Sequence, residues 1–436
     1  MKIIKIVMKS IMLALVIALQ SCTINEQSIG DVTINPGGGT NGSDCIELSG
    51  EITSDTTLSS DNCYELIGGV SVLDGVTLTI ETGTRIFAGQ TSDGIYSYLL
   101  INQGAKIMAE GTAAEPIVIT SNQATPNPGD WGGLIIAGKA PINRGATATA
   151  EVANVTYGGT VADDNSGVIR YMRLEYTGGR INADSEYNGL SLYGVGNGTT
   201  LEYIQTYLGN DDGIEFYGGT VDLRYAVSTG AQDDSFDWTD GWVGRGQFWI
   251  VQQTSVEGDK GIEADNLSST PDAIPFSYPT LSNVTLLGAE DGDGENKGAE
   301  FRAGTKVAAY NMIVKGFPGK GIEVDDDQTL INLNNGDIEI RNSIIDNVNS
   351  FDLDHGGATF DFADFSAYSN YTLDGSGDPF NNAGTAIPDD FTLVGFKGTY
   401  NANAIDPSTI NSWFTSVDYV GAVSASNDWT LGWVRL

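Results

Sequence analysis

Acidic residues recur in this sequence within a short phrase that alternates carboxylate and apolar side chains. The phrase occurs five times, and its acids are Glu215, Asp237, Glu263, Glu300 and Glu323. Further aspartates precede the first three copies. Calcium prefers carboxylate oxygens and takes about six to eight oxygen ligands. If the copies stack, the sequence predicts a calcium site built from Asp211, Asp212, Glu215, Asp233, Asp234, Asp237, Asp259 and Glu263.

The paired aspartates also have an interpretation that needs no metal. Asp and Asn side chains at turns accept hydrogen bonds from backbone N–H groups that no strand partner satisfies. Asp211-Asp212 and Asp233-Asp234 stand where such turns are expected. The sequence leaves the turn role and the cation site open.

Basic residues accompany the acids in the later copies of the phrase. Lys260, Lys297 and Lys320 each begin a copy, so they are expected in one column beside the glutamates. Charge compensation is the favoured interpretation. The alternative is that one of them, or Arg245, serves as the base of a polysaccharide lyase beside calcium.

Aromatic residues are concentrated near the second copy of the phrase. Phe236 and Trp238 alternate with Asp237, which assigns them to the core. Trp242 and Trp249 are then the candidates for stacking on a sugar ring, with Arg245 between them as a third ligand-binding candidate.

The spacing of the phrases predicts the elements that must position these residues. Asp212 and Asp234 are 22 residues apart, and Lys297 and Lys320 are 23 apart. Repeats of this length are typical of a solenoid in which each coil adds one short strand to a parallel sheet. Strand alternation then buries the apolar residues and places the five acids along one outer strip, about 4.8 Å apart.

A second family of β-rich segments lies between the phrases, for example Val168–Tyr176 and Leu201–Leu208. Each coil is therefore expected to have at least two strands, and the coils to form two stacked sheets. A solenoid over residues 44–385 must be closed at both ends. We expect one cap at residues 44–69 and a C-terminal cap at residues 386–436, whose tryptophans pack over the last coil.

The N-terminus has the order of a secretion signal. Three lysines precede an apolar run that is too short to span a bilayer, which predicts a signal peptide over residues 1–21. Leu19-Gln-Ser-Cys22 resembles a lipobox, which implies acylation of Cys22 and the outer membrane, with the leaflet left open. Residues 22–43 are glycine-rich toward their end and read as a flexible tether. In an oxidising compartment Cys45 and Cys63 are expected to form a disulfide.

Charge and composition exclude several classes of function. The chain has a formal net charge of −36, and this field repels nucleic acid. Cations, neutral glycans and basic peptides remain compatible with it, and so does a simple role in solubility. One histidine and three cysteines leave too few partners for a zinc site or a nucleophilic triad.

Several segments together resemble a known family. Ala109–Ser121 resembles a phrase from the first coils of right-handed parallel β-helices. This phrase, the lipobox, the acidic copies, Gly246–Gln253 and Asn427–Trp433 are similar to Bacteroidota cell-envelope β-helix lipoproteins with a pectate-lyase-like fold. The resemblance implies an all-β, right-handed parallel β-helix and an envelope location, and it assigns no reaction.

Three functions follow in order of preference. The first is a non-catalytic, membrane-anchored lipoprotein whose calcium-dependent acidic face binds a glycan or an outer-membrane protein. The second is a surface polysaccharide lyase or glycoside hydrolase, although polygalacturonase-like hydrolysis is disfavoured because the lone His355 lies far downstream of the aspartate pairs. The third is a structural or adhesive rod. No catalytic residue is assigned.

Overall fold

The computed structural model describes residues 45–182, 185–254, 257–289, 292, 296–353 and 404–436, with isolated positions between 359 and 398. The predicted signal peptide and the whole of the predicted tether, with Cys22, lie outside the described residues. Within the described part, no helix has the length and apolar character needed to cross a membrane.

The chain forms the predicted right-handed parallel β-helix, and its coils share one 27-stranded sheet. One strand of each coil belongs to a surface that we call face A. Its strands are Tyr98–Ile101, Leu134–Ala137, Leu190–Tyr193, Ile214–Tyr217, Phe236–Thr239, Lys260–Ala264, Lys297–Phe301, Lys320–Val324 and Asn349–Leu353. The apolar side chains of these strands are buried in the core as strand alternation requires, for example Ile214, Phe236 and Ile262.

The second strand of each coil belongs to face B, and most of these strands bend midway. The long members are Gly167–Glu175, Thr200–Tyr207, Asp222–Thr229, Arg245–Gln252 and Thr280–Leu287. Later coils divide the strand in two, as Val307–Tyr310 with Ile313–Lys315 and Ile338–Arg341 with Ile344–Asp346, and two short strands follow, Tyr371–Thr372 and Thr385–Ala386. The first coils use Thr56–Leu58, Thr77–Ile80, Arg85–Ala88, Lys106–Glu110 and Ile117–Ser121.

The bend in each face B strand is made by a residue with positive φ, and these residues stack from coil to coil. Tyr171, Tyr203, Tyr225 and Phe248 occupy the bend first, followed by Asn283, Asn311 and Asn342. A non-glycine residue in this conformation costs about 1–2 kcal/mol. The rings of neighbouring aromatic bend residues lie 4.2–4.8 Å apart and nearly parallel, so their stacking offsets part of that cost.

The N-terminal end has the predicted disulfide between Cys45 and Cys63. It joins the starts of the strands Ile46–Ile52 and Cys63–Val72, which pair in parallel. The remaining elements are accessory. They are the hairpin Ala148–Thr149 with Thr156–Tyr157, the helix Asp327–Asn334, the 3-10 turn Pro407–Thr409 and a small sheet of Leu393–Val394, Lys397–Gly398 and Val423–Ser424.

The C-terminal residues do not pack over the last coil as predicted. Residues 404–436, which we call the strap, run back along the outside of face B. Three side-chain amides from different coils each exchange two hydrogen bonds with the strap backbone: Asn311 with Ile405, Gln247 with Thr415, and Gln205 with Arg435.

The strap covers apolar surface that face B leaves on its outer side. Trp433 is fully buried there and packs edge-on against the rings of Tyr171 and Tyr203. Val227 and Ile250 belong to the same cluster. An uncovered patch of this kind would be costly in water, so the strap takes the place of a second layer.

Candidate cation-binding cleft

The five acids of the repeated phrase stack in register on face A. Glu215 aligns with Asp237, Asp237 with Glu263, Glu263 with Glu300, and Glu300 with Glu323. They turn away from the core as predicted. The expectation of a solvent-exposed strip is wrong, however, because Glu215 is only 7% exposed and Glu300 only 5%.

Two different covers shield this column from water. Over the early strands, an inserted segment at residues 138–163 packs Ile142 and Val152 into a small cluster with Tyr193 and Tyr217. Over the later strands, the cover consists of basic side chains, and Lys260 is itself only 7% exposed. The column therefore has two halves with different electrostatics.

The later half is an ion-pair ladder. The Nζ of Lys260 lies 3.0 Å from Glu263 and 3.7 Å from Glu300. Lys297 contacts Glu300 at 2.5 Å and also pairs with Glu323. Burial alone would raise the pKa of Glu300, but the hydrogen bond and positive charge of Lys297 lower it below its usual value.

The lysines of this ladder are poorly suited to act as bases. Burial lowers the pKa of Lys260, but the charges of Asp234 and Glu263 outweigh burial and raise it. Lys297 likewise has a raised pKa, since the hydrogen bonds to Glu300 and Glu323 outweigh burial. Charge compensation therefore describes these two residues better than proton abstraction.

The early half is a cluster of carboxylates that we call the acid cleft, made of Asp211, Asp212, Glu215, Asp233, Asp234 and Asp237. Each of three overlapping groups has its ligand oxygens within 4.8 Å of one another: Asp211, Asp212 and Asp233; Asp212, Glu215 and Asp237; and Asp233, Asp234 and Asp259. Glu263, the last residue of the predicted site, belongs instead to the ion-pair ladder. The cleft opens to solvent at Asp233, which is exposed.

The turn interpretation of the aspartates applies here as well. Asp212 Oδ1 accepts a hydrogen bond from the backbone N–H of Asp234 at 2.9 Å. Asp234 Oδ1 in turn accepts from the backbone N–H of Lys260 at 2.8 Å. Each aspartate therefore uses one carboxylate oxygen to accept a hydrogen bond from the backbone of the next coil. An ionised carboxylate has about four acceptor positions on its two oxygens, so this role leaves capacity for a cation.

Few positive charges balance the acid cleft. Among the described residues, no lysine or arginine nitrogen lies within 4.0 Å of Asp211, Asp212, Glu215, Asp233 or Asp237, and Lys260 only reaches that distance from Asp234. Asp237 Oδ1 is buried and has no hydrogen-bond partner in the described part of the chain.

The pKa values record this imbalance. Burial and then the neighbouring carboxylates raise the pKa of Asp212 and Asp237 well above the usual range. The same two causes raise the pKa of Asp211 to about 7, and Asp233 makes the largest contribution among the carboxylates. Charging the cleft without a bound cation is therefore unfavourable.

The structure also shows cleft neighbours that the sequence did not reveal. Asn188 donates a hydrogen bond to Glu215 at 2.5 Å, and the Tyr217 hydroxyl donates to Glu151 at 2.7 Å. Glu151 lies in the inserted segment, outside the repeat. Periodicity gives no signal for such a residue, because its position depends on how the insertion folds.

The aromatic residues predicted to bind sugar are not on the surface. Trp242 and Trp249 are fully buried in the core, where both stack on Phe216. Their indole N–H groups donate to the carbonyls of Val221 and Leu223, both at 3.0 Å. This part of the prediction is wrong, because both tryptophans follow the turn after the strand, where the alternation within Phe236–Thr239 no longer applies.

The third ligand-binding candidate, Arg245, lies away from the acid cleft. Its Nε donates to Asp222 Oδ1 at 2.8 Å. It is located at the start of a face B strand, whereas the cleft is at the start of the face A strands. The structure therefore does not bring Arg245 together with the predicted metal ligands.

Comparison with known proteins agrees with this architecture. The family model of the pectate-lyase like beta helix domain matches residues 50–433. The chain belongs to this family. For this pectate-lyase-like β-helix, the matched range includes the whole acid column and nearly all of the strap. The narrower resemblance to Bacteroidota envelope lipoproteins stays a prediction.

A comparison with curated proteins found no match. Among solved structures, the crystal structure of Dettilon tailspike protein (gp208) is 14% identical, and the alignment covers 78% of this chain and 61% of that one. The pectate-lyase-like chain thus spans less than two thirds of that protein's length. The TM-score is 0.23, which is too low to support any conclusion about function.

The raised pKa of Asp211 predicts how stability depends on pH without added cation. The folded state keeps a proton up to about pH 7, whereas the unfolded chain releases it near its usual value of 3.8. The stability contributed by this group is therefore present at low pH and lost as the pH rises from about 4 through 7. In Asp211→Asn this loss should disappear, so the variant should differ least from the wild type below about pH 4 and melt several degrees higher near pH 8.

Thermal unfolding in EDTA across that range measures the difference. Asp163→Asn, which removes an exposed aspartate outside the cleft, is the matched control. A difference between Asp211→Asn and wild type that stays constant with pH would contradict the assignment.

Proposed function

We propose that this protein is an envelope-anchored lipoprotein whose acid cleft binds calcium and, through that calcium, a glycan. The proposal rests on the contrast between the two halves of the column. From Glu263 onward each glutamate has a basic partner, whereas the cleft has six carboxylates and one lysine at its edge. A divalent cation supplies the positive charge in the cleft that lysines supply in the later half of the column.

The chemistry of the cleft favours calcium among the common divalent ions. All of its charged donors are carboxylate oxygens, which suit a hard cation, and no described histidine or free thiol joins them. The donors come from two successive coils with several spacings, and calcium tolerates irregular geometry better than magnesium does.

A glycan is the ligand that best fits a bound calcium in this position. The open end of the cleft at Asp233 lets a further ligand approach the ion, and sugar hydroxyls or carboxylates are oxygen donors. The net charge of −36 repels polyanions, so an acidic glycan would need the cation as a bridge. A partner outer-membrane protein is the other outcome that binding tests must distinguish.

Calcium titration by isothermal calorimetry tests the proposal. Wild type should bind calcium with proton release at pH 7, because the cation displaces protons from carboxylates with raised pKa values. The double variant Asp211→Asn with Asp233→Asn should bind at least about tenfold more weakly, since it loses two charged ligands. Asp163→Asn should behave as wild type.

Two results would contradict the proposal: no heat and no rise in melting temperature at millimolar calcium, or equal binding by the double variant. If calcium binds, a polysaccharide panel and an outer-membrane extract are then compared with calcium and with EDTA. Calcium-dependent retention of the extract proteins alone would replace the glycan with a protein partner.

The anchor is proposed from the sequence, because Leu19–Cys22 lies outside the described residues. An acylated Cys22 followed by the tether would hold the β-helix away from the membrane surface. Metabolic labelling with a fatty acid should mark the wild type and not Cys22→Ser, which should also leave the membrane fraction. Equal labelling of both would remove the lipoprotein assignment.

A further inference from the structure

A cavity lies at the edge of face A opposite the acid cleft, where the strap crosses the start of the face B strands. Its volume is about 280 Å³. The residues that matter for its chemistry are Thr200, Glu202, Asp222, Arg224, Arg245 and Trp413. Five come from three successive coils, and Trp413 comes from the strap, so only the folded strap completes the cavity.

Trp413 is held in place from several directions. The guanidinium carbon of Arg224 lies 4.1 Å from the indole centroid and that of Arg245 lies 5.1 Å from it. Arg224 also donates to the backbone carbonyl of Trp413. Two residues further on, Thr415 exchanges two hydrogen bonds with Gln247, at 2.9 and 2.8 Å. An aromatic ring fixed in this way is preorganised before any ligand arrives.

The charges around the ring are paired. Arg245 forms a two-point pair with Asp222, at 2.8 and 2.5 Å. Glu202 accepts from Arg170 at 2.8 Å. Arg224 differs, because its Nε is buried and has no hydrogen-bond partner among the described residues. The cavity thus combines carboxylate acceptors, guanidinium donors and a hydroxyl with little net charge.

We propose that this cavity binds one neutral sugar unit of a saccharide, independently of calcium. The Thr200 hydroxyl can donate to a sugar hydroxyl, and the carboxylates of Asp222 and Glu202 accept from other hydroxyls. The indole provides the apolar surface that the C–H side of a sugar ring needs. A volume of about 280 Å³ lies just below the range of about 300–1,000 Å³ for drug-sized ligands, which suits a single sugar ring.

The pairing of charges argues for a neutral sugar rather than a uronate. An added carboxylate would lie near Asp222 and Glu202, whose arginines are already paired. Like-charge repulsion would then offset any contact with Arg224.

This site is distinct from the acid cleft and goes beyond the proposed function. In the coil that carries the second copy of the phrase, Asp234 precedes the strand Phe236–Thr239 and Arg245 follows it. Four strand residues alone span about 13 Å, so one calcium ion cannot contact both sites. Binding here should therefore persist in EDTA.

The experiment uses the full mature chain in EDTA and a panel of neutral tetrasaccharides built from glucose, mannose, galactose or N-acetylglucosamine. Saturation-transfer NMR detects binding and calorimetry gives the dissociation constant. We expect at least one member to bind, Trp413→Ala to weaken that binding at least about tenfold, and Trp413→Phe to restore most of it.

Because Trp413→Ala could loosen the strap, Thr200→Val provides a second probe that keeps the shape of the cavity and removes one hydroxyl. It should weaken binding about fivefold or more while the melting temperature stays at the wild-type value. The proposal is overturned if no tetrasaccharide binds, if binding needs calcium, or if folded Trp413→Ala and Thr200→Val both bind as wild type does.

Discussion

Stacking like residues in register is the constraint on which this structure depends. A parallel β-helix places the same position of successive coils about 4.8 Å apart, so a repeated acid becomes a column of carboxylates. Two such charges repel by about 0.9 kcal/mol in water and about 3.5 kcal/mol at an effective dielectric constant of 20. Burial of Glu215 and Glu300 places this column closer to the second case.

The two halves of the acid column reduce this repulsion in different ways. Between Glu263 and Glu323, lysines pair with each glutamate of the column. In the acid cleft, burial and then the neighbouring carboxylates raise the pKa values of Asp212 and Asp237. Because a bound cation stabilises the charged form of carboxylates whose pKa values are raised, cation binding to such a group is coupled to proton release.

On face B, the first bend residues that stack in register from coil to coil are aromatic instead of acidic. Its column of bend residues would expose the rings of Tyr171, Tyr203 and Tyr225 to water, and the strap covers them with Trp429 and Trp433. The side-chain amides of Gln205, Gln247 and Asn311 fix the strap through its backbone. The strap therefore connects distant coils, and the same contacts hold Trp413 beside Arg224 and Arg245.

Sequence reasoning succeeded where the repeat determines the outcome and failed where an insertion or a distant segment does. The spacing of Asp212 and Asp234 predicted the fold and the register of Glu215 with Asp237. It did not predict that the column is shielded, because the cover at residues 138–163 lies outside the repeat. Trp242 and Trp249 were misassigned since alternation ends at the turn. The strap was mistaken for an end cap because no local pattern shows which surface an aromatic segment will contact.

The most direct measurement of the central claim is anomalous diffraction from crystals grown with calcium, or with terbium in its place. The account predicts a peak at about 2.3–2.6 Å from carboxylate oxygens of Asp211, Asp212 or Asp233, and none along the ladder from Glu263 to Glu323. A peak within the ladder, or none in a cleft whose carboxylates are ordered at millimolar calcium, would contradict it.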